Sequence, residues 1–407
     1  MAFGRWAPIE HGLAPHYPAL RAFRDRRALH ASALWRQIGP EVQRTLCSVE
    51  RGDMARSLAS APAPTGSAPA RDQATPDRLR VAAWNIQRGA RFPALLDALR
   101  GERLLAGADV LMLVEVDCGL GRSGNRNVPR DLALALGMSY AFAPSYLTIE
   151  DDWGENPDGI ANTSALAGTA LLSRWPIRAA ENLDLPELRD KFSSSERRLG
   201  KKRALAVEIE GPGGPWRLAT CHLDSNASPA GRARQLRAVL EGLERIGSGA
   251  AATTPALVGG DLNASTHDLS SGLAIGRDVL RILAGGGLSR TIDDYMRPEA
   301  TREHVVFDEL ARHGFIVDGL NDRAAPTYHY DFADPYAQQK LRRIGGAPLV
   351  WLVRRLLRRW QSRPPARLDW MAGRGIIPLA AHVVTPSGSD GRPVSDHGAV
   401  VCDVRSA

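Results

Sequence analysis

One pattern in this chain constrains its fold more than any other. Four times, an apolar run of strand length stops on a polar side chain. LRVAAWNIQRG stops at Asn85 and ADVLMLVEVD at Glu115. PWRLATCHLDS stops at His222, and PALVGGDLN at Asp261 and Asn263. Short apolar runs bounded by turn residues read as buried strands. Between them lie amphipathic stretches with helical spacing: FPALLDALR, DLALALGMSY and RARQLRAVLEGLERI. TALLSRWP and the closing HGAVVCDV read as further strands. Strands and helices mixed over some 330 residues predict a layered α/β body with sheets in its core.

Strands of one sheet bring their ends to one mouth, so the polar side chains at those ends can converge there. In an extended backbone, residues i and i+2 point the same way, so Asp261 and Asn263 are expected to face one point. A plain turn is the alternative, since Asp, Asn and Gly all favour turns. Asp369 in PARLDWM and Asp396–His397 in VSDHGAV flank the last strands and can join the group. These residue types suit hydrolysis of a phosphate ester. Mg²⁺ takes oxygen ligands and few carboxylates, which Glu115 can supply. Asp261 can orient or deprotonate a water and Asn263 can donate to a phosphoryl oxygen. His222 and His397 can donate to developing charge, and Asp369 can hold the His397 imidazole in one tautomer.

AAWNIQRG, LVEVD, ALLSRWPI, CHLDS, GGDLN, RLDW and SDHG, in this order over roughly residues 79–405, resemble the endonuclease/exonuclease/phosphatase superfamily. The resemblance implies a DNase I-like, four-layer α/β/β/α sandwich of two facing mixed β-sheets. It implies a Mg²⁺-dependent phosphoesterase, with Mn²⁺ as the alternative ion. Carried over, Glu115, Asn85 and Asp396 take the metal side. Asp261, Asn263, His222, Asp369 and His397 take the catalytic side. Members act on DNA, RNA, nucleotides, inositol phosphates or sphingomyelin, and these motifs do not choose among them. APTYHYD followed by PPARLDWM is similar to inositol-polyphosphate phosphatases, but His329 and Met371 stand where those members carry basic residues. A phosphodiesterase on nucleic acid is the first expectation. A phospholipid or phosphoinositide phosphoesterase, or a non-catalytic binding protein keeping the fold, are the alternatives.

Charge separates one segment from the rest. The net charge is +7, yet Pro335–Leu368 alone holds nine Lys/Arg and no Asp or Glu, so the remainder is slightly acidic. Within it, PLVWLVRRLLRRWQ places Leu349, Leu352, Val353, Leu356, Leu357 and Trp360 on one helical face and Arg354, Arg355, Arg358 and Arg359 on the other. This insertion, about 335–366, suits peripheral membrane contact through 340–362, a nucleic-acid backbone, or docking on its own body with the basic face in water. Arg122, Arg126 and Asn127 follow Glu115 and are candidate phosphate-gripping residues.

Residues 1–58 read as a helical N-terminal extension, 59–78 as an Ala/Pro-rich linker, and 79–407 as the catalytic domain. No apolar run reaches membrane-spanning length and the N-terminus lacks a conventional secretory core, so a cytoplasmic protein, with peripheral membrane contact as an option, is expected. The four cysteines are widely spaced without a CxxC pair, which reads as ordinary buried thiols rather than a zinc or disulfide framework. No obligate protein partner is inferred.

Overall fold

The computed structural model describes residues 8–53, 77–150, 156, 159–193, 197–247, 254–264, 288–329, 342, 346–348, 350–351, 354–355, 357–361 and 363–407. The strands are β1 (Glu50–Asp53), β2 (Leu79–Arg88), β3 (Val110–Cys118), β4 (Ser139–Thr148), β5 (Leu166–Ser173), β6 (Ile177–Asp184), β7 (Arg198–Gly200), β8 (Arg203–Gly211), β9 (Gly214–His222), β10 (Ala256–Asp261), β11 (Tyr328–His329), β12 (Pro365–Ala366), β13 (Asp369–Arg374), β14 (Ile376–Val384) and β15 (Ala399–Ser406). They form an eight-stranded mixed sheet in the order β1-β4-β5-β3-β2-β15-β14, with β7 on β4. A second, five-stranded mixed sheet runs β13-β10-β9-β8-β6. The expected four-layer sandwich is what forms.

Strand alternation builds the layers. Leu79, Val81 and Ala83 of β2 join Leu205, Val207, Leu218, Leu257 and Met371 in a core between the sheets. Their neighbours Ala82, Trp84 and Ile86 face outward, into an apolar cluster shared with the helix Phe92–Gly101 and, through β4, with the N-terminal helices. On the second sheet Ala219, Val258 and Trp370 face outward, onto the helices Pro229–Arg245 and His304–Arg312. Each helix thus covers the outer apolar face of one sheet, as burial demands.

The two glycines of VGGD mark close packing. A Cβ on Gly259 would meet the sulfurs of Met112 and Met371 at 2.8 Å, one from each sheet. Gly260 has φ +134°, and a Cβ there would lie 2.1 Å from the Cys221 carbonyl oxygen. Only glycine lets β10 run this tightly between β9 and β13.

The N-terminal segment holds more than the expected helices. After the helices Tyr17–Arg21, Arg26–Ala31 and Ala33–Cys47, residues Glu50–Asp53 add a strand to the edge of the large sheet, antiparallel to β4. Glu50 is buried and accepts from Tyr140 Oη at 2.7 Å, Asn127 Nδ2 at 2.7 Å and the Ile9 amide at 3.1 Å. A buried carboxylate needs such donors. The Ala/Pro-rich stretch 59–78 lies almost wholly outside the described residues. Of the cysteines, Cys118, Cys221 and Cys402 are buried, and burial pushes the Cys118 and Cys221 thiols up to about 12. Cys47 is exposed, contrary to the expectation of buried thiols. No helix among the described residues is long and apolar enough to cross a membrane.

Candidate active site

The alternation that builds the inner core also aims the site. Asn85 continues the inward series Val81, Ala83 on β2. Asp261 continues Leu257 on β10, His222 continues Trp216 and Leu218 on β9, and Asp369 precedes Met371 on β13. All four therefore turn toward the space between the sheets, at one end of the sandwich. On the second sheet they stand in one row: Asp261 pairs with His222 across the parallel β9–β10 ladder and with Asp369 across the antiparallel β10–β13 ladder.

Asp261 is the centre of this row. Its Oδ2 lies 3.4 Å from Asn85 Nδ2, 3.5 Å from His222 Nε2 and 3.9 Å from His397 Nε2. Its Oδ1 accepts the Asn263 amide at 2.8 Å. This last bond overturns the extended geometry expected for residues 261–263. Asn263 sits at φ 47°, so the chain turns at once, and its Nδ2 donates to the Leu223 carbonyl at 3.0 Å. Both the turn and the site readings hold here: the side chain of Asp261 closes the turn with one oxygen and faces the mouth with the other. Asn263 acts as its brace.

His397 arrives from the loop before β15. Trp84 Nε1 donates to its carbonyl at 2.9 Å, and the Ser395 hydroxyl accepts the His397 amide at 3.2 Å while donating to the Asn85 carbonyl at 2.7 Å. Its Nδ1 meets Asp369 Oδ2 at 2.7 Å. Asp369 is fully buried and its other oxygen has no hydrogen-bond partner among the described residues. Leaving a buried carboxylate oxygen unmet costs about 1–3 kcal/mol, a sacrifice typical of a site rather than of a core. The two histidines differ in charge. Burial and the neighbouring Lys202 push His222 down to about 4, so it is neutral near pH 7. Burial opposes charge on His397 too, but Asp369, Asp396 and Asp261 outweigh it and hold the imidazole well above its ordinary value.

Glu115 comes from the other sheet by a different device. β3 does not end there but runs on to Cys118. The ladders to β2 and β5 both slip at this point. Glu115 takes φ 53°, a left-handed conformation costly for a residue with a Cβ. Before the slip Leu111 and Leu113 face the outer core; after it Val116 and Cys118 do. The bulge thus lifts one side chain out of the alternation and re-aims it at the mouth, a known use of bulges beside active sites. β2 is likewise longer than expected, and its irregular stretch Gln87–Arg88 follows Asn85.

The Glu115 carboxylate makes no hydrogen bond to a described residue, and its nearest cation is Arg88 Nε at 4.0 Å. Burial pushes its carboxyl up, but Arg88, His222, His397 and Lys202 together hold it well below the usual range. Arg88, Arg122, Arg198, Lys202 and His222 line a cleft of about 50 Å³ with it. An ionised, half-exposed carboxylate facing a cleft, beside Asn85 and near Asp396, is an all-oxygen donor set. That set fits a hard cation such as Mg²⁺. Asp396 is close enough to Glu115 for the two charges to repel; burial and this repulsion raise its carboxyl. The described residues also bring Asp261, Asp369 and His397 within 4.8 Å of one another. Asp369 and His397 already share a hydrogen bond, so this trio reads better as a charge couple than as a cage.

The substrate-gripping candidates divide. Arg122 lines the cleft, but its guanidinium is buried and paired through two bonds, 2.8 and 3.0 Å, with Asp117. Arg126 lies over the Phe92 ring at 4.6 Å and 3.5 Å from Asp131. Asn127 is not free for substrate: Oδ1 caps the helix Val128–Leu136 through the Arg130 amide at 3.1 Å, and Nδ2 holds Glu50. Sequence reasoning missed Arg88, Arg198 and Lys202. Lys202 stands in the basic run KKR at the start of β8, but nothing in that spacing places it at the mouth.

Comparison with known proteins follows this geometry. The profile of the endonuclease/exonuclease/phosphatase family matches residues 82–397. Among solved structures, an endonuclease/exonuclease/phosphatase from Beutenbergia cavernae is 19% identical over 81% of this chain and 72% of its own, with a TM-score of 0.47. The human Nocturnin catalytic domain with bound sulfate is 18% identical over 81% of this chain and 94% of its own, at 0.44. D. rerio TDP2 complexed with a single-strand DNA product is 16% identical over 81% of this chain and 99% of its own, at 0.44. No curated protein sequence matches the chain.

Proposed function

The chain belongs to the endonuclease/exonuclease/phosphatase family, whose members are hydrolases of phosphate esters, and on that premise we propose that it is a divalent-metal-dependent phosphodiesterase whose substrate is nucleic acid. One observation carries the reaction class: a single carboxylate oxygen, Asp261 Oδ2, faces three donors from separate elements, Asn85, His222 and His397. A carboxylate so placed orients a water and takes its proton. Asn85 and the neutral His222 fix its direction. His397, charged and tied to Asp369, points Nε2 into the mouth, where it stabilises the negative charge that builds on the phosphoryl oxygens. Asp369 keeps that imidazole in one tautomer and orientation. Asn263 fixes Asp261 by closing the turn beneath it.

Glu115, with Asn85 and Asp396 beside it, would hold the cation. Mg²⁺, or Mn²⁺ in its place, supplies Lewis-acid neutralisation of a phosphoryl oxygen when bound. Lys202, Arg88 and Arg198 surround the same cleft and favour an anionic substrate there. The basic segment 335–368 favours a polyanion over a small ester, which is the ground for nucleic acid.

The test is hydrolysis of bis(4-nitrophenyl) phosphate and of plasmid DNA and single-stranded RNA, with Mg²⁺, with Mn²⁺ and with chelator. Turnover that needs the metal and disappears in an Asp261→Ala protein that still unfolds cooperatively is the expected result. Retained turnover in a folded Asp261→Ala protein would overturn the mechanism. No turnover by the wild type with any metal would favour a binding protein that keeps the fold.

A further inference from the structure

The insertion does not leave the body at random. It springs from the rim of the mouth. Its two ends pair as β11 and β12, with Tyr328 opposite Ala366 and His329 opposite Pro365. The Tyr328 ring packs on the His397 imidazole at 4.7 Å between centroids, and its backbone bridges to His397. Thr327 accepts the Leu368 and Asp369 amides on its hydroxyl at 3.0 and 3.1 Å, and its carbonyl accepts the Gly398 amide at 2.7 Å. The stalk is therefore pinned to the Asp369–His397 couple.

What the stalk carries is partly described. Positions 346–348, 350–351 and 354–355 are helical, and Arg358–Trp360 form one 3₁₀ turn. Leu349, Leu352, Val353 and Leu356, most of the expected apolar face, lie outside the described residues. Val350 and Leu357 are buried, at 6% and 4% exposure, whereas Trp351 is 64% exposed. Arg342, Arg354, Arg355 and Arg358 stand with Trp351 around an open concavity of about 380 Å³. The Arg355 guanidinium lies over the Trp351 indole at 5.8 Å.

Elsewhere on the surface, arginines find acids: Arg91 with Asp390, Arg178 with Glu210, Arg323 with Asp318. None of the four in this concavity has an ion pair or hydrogen bond among the described residues, and its segment contains no Asp or Glu at all. Four like charges around one hollow repel one another, and a ligand of matching charge density relieves that repulsion. Guanidinium groups suit phosphates by shape as well as charge. An anionic membrane would meet the same charges. It would also require exposed apolar side chains, yet the described aliphatic positions Val350, which lines the concavity, and Leu357 are buried. Among the described residues of this segment, the exposed large apolar group is the Trp351 indole, which stands beside cations. That combination is a stacking surface for a base together with grips for the phosphates on either side of it.

We propose that the concavity of Arg342, Trp351, Arg354, Arg355 and Arg358 is a second contact for single-stranded nucleic acid. It takes the strand flanking the bond that lies in the mouth, and it rests on the phosphodiesterase reading of that mouth. The experiment uses the full chain, a 20-nucleotide oligothymidylate or oligouridylate, and two variants, Trp351→Ala and the triple Arg354→Gln, Arg355→Gln, Arg358→Gln. Binding is read by anisotropy at several salt concentrations with Ca²⁺ in place of Mg²⁺. Turnover is read on the oligonucleotide and on bis(4-nitrophenyl) phosphate. Trp351→Ala is expected to weaken binding roughly tenfold, the loss of one stacked base. The triple variant is expected to flatten the log–log salt slope by about 2, three single-strand phosphate contacts. Both should raise KM on the oligonucleotide and leave the aryl diester unchanged. Unchanged affinity and slope in both variants would overturn the proposal. So would phosphatidylserine vesicles that bind the wild type and lose that binding in the same variants while oligonucleotide affinity stays put. Should the wild type hydrolyse neither substrate, the mouth reading fails, and the binding arm still decides the concavity.

Discussion

Two regions of this molecule gather charged side chains, and they do so in opposite ways. At the mouth, the central charges are held by partners from neighbouring elements, as with Asp369 of β13 and His397 at 2.7 Å. On the insertion, Arg342, Arg354, Arg355 and Arg358 are exposed and make no ion pair among the described residues. The mouth has spent its freedom before the substrate arrives, so its donors need no reorganisation when charge builds in the reaction. The four arginines of the concavity are instead left with their charges uncompensated by acids among the described residues, so a ligand of opposite charge would supply the missing partner. Substitutions in the first region should therefore act on kcat, and in the second on KM and salt dependence.

The largest effect is expected where that preorganisation is removed without removing bulk. Asp369→Asn keeps the shape beside His397 but takes away the charge that holds the imidazole. We expect kcat to fall by about 10²–10⁴-fold, the range for a positioned acid–base group, with KM for the oligonucleotide little changed. If KM rises while kcat holds, the couple serves binding and the contrast between the regions collapses. Next comes His222→Ala, which removes one donor facing Asp261 and the cleft. A loss of about 10²-fold or somewhat more in kcat is expected. Because burial and Lys202 push His222 down to about 4, its charge does not change between pH 6 and 8, and the variant should keep the wild-type pH profile across that range.

Lys202 sharpens the comparison from inside the mouth. It lines the cleft with Glu115 and His222. Burial pushes its amine down to about 8, with Lys191 adding to the effect and Asp224, Glu115 and Asp261 opposing it. The charged form is present below that value and is lost as pH rises through it. Substrate attraction should therefore weaken above pH 8, with kcat/KM falling toward tenfold per pH unit. Lys202→Arg should remove that alkaline limb, because a guanidinium stays charged throughout. The insertion arginines have no such limb, so oligonucleotide binding measured on the concavity should be flat over the same pH range.

What the sequence made legible follows from the same physics. Asn85, His222 and Asp261 could be read because each closes an apolar strand, and the apolar partners that fill the inner core also fix where that last polar side chain points. Asp369 came from the RLDW motif, and its strand β13 was not foreseen. The motif order supplied His397 and Asp396. Glu115 was found for an incomplete reason, since the strand was expected to end there and instead bulges and continues. Lys202, Arg88 and Arg198 were invisible because their place at the mouth depends on which strands lie side by side, and no local pattern records that. β1 was missed because ERGD has no apolar alternation of its own and is a strand only by adding to the edge of β4. β14 hides similarly: it lies at the sheet edge, Pro378 interrupts it, and its exposure is irregular.

Asn127 gives the smallest effect and the cleanest separation. In sequence it stands among arginines twelve residues after Glu115 and looks like a phosphate grip. In the fold its oxygen caps the helix Val128–Leu136 and its nitrogen supports the buried Glu50 of the N-terminal strand. Replacing a capping Asn with Ala costs about 0.5–2 kcal/mol. Glu50 would keep its bonds to Tyr140 and Ile9, so it is not stranded. Asn127→Ala should therefore lower the urea midpoint by that modest amount and leave kcat, KM and the salt slope where they were. A changed KM with unchanged stability would return Asn127 to the substrate. It would also mean that the boundary between groups committed to the fold and groups left for the ligand runs elsewhere than these hydrogen bonds place it.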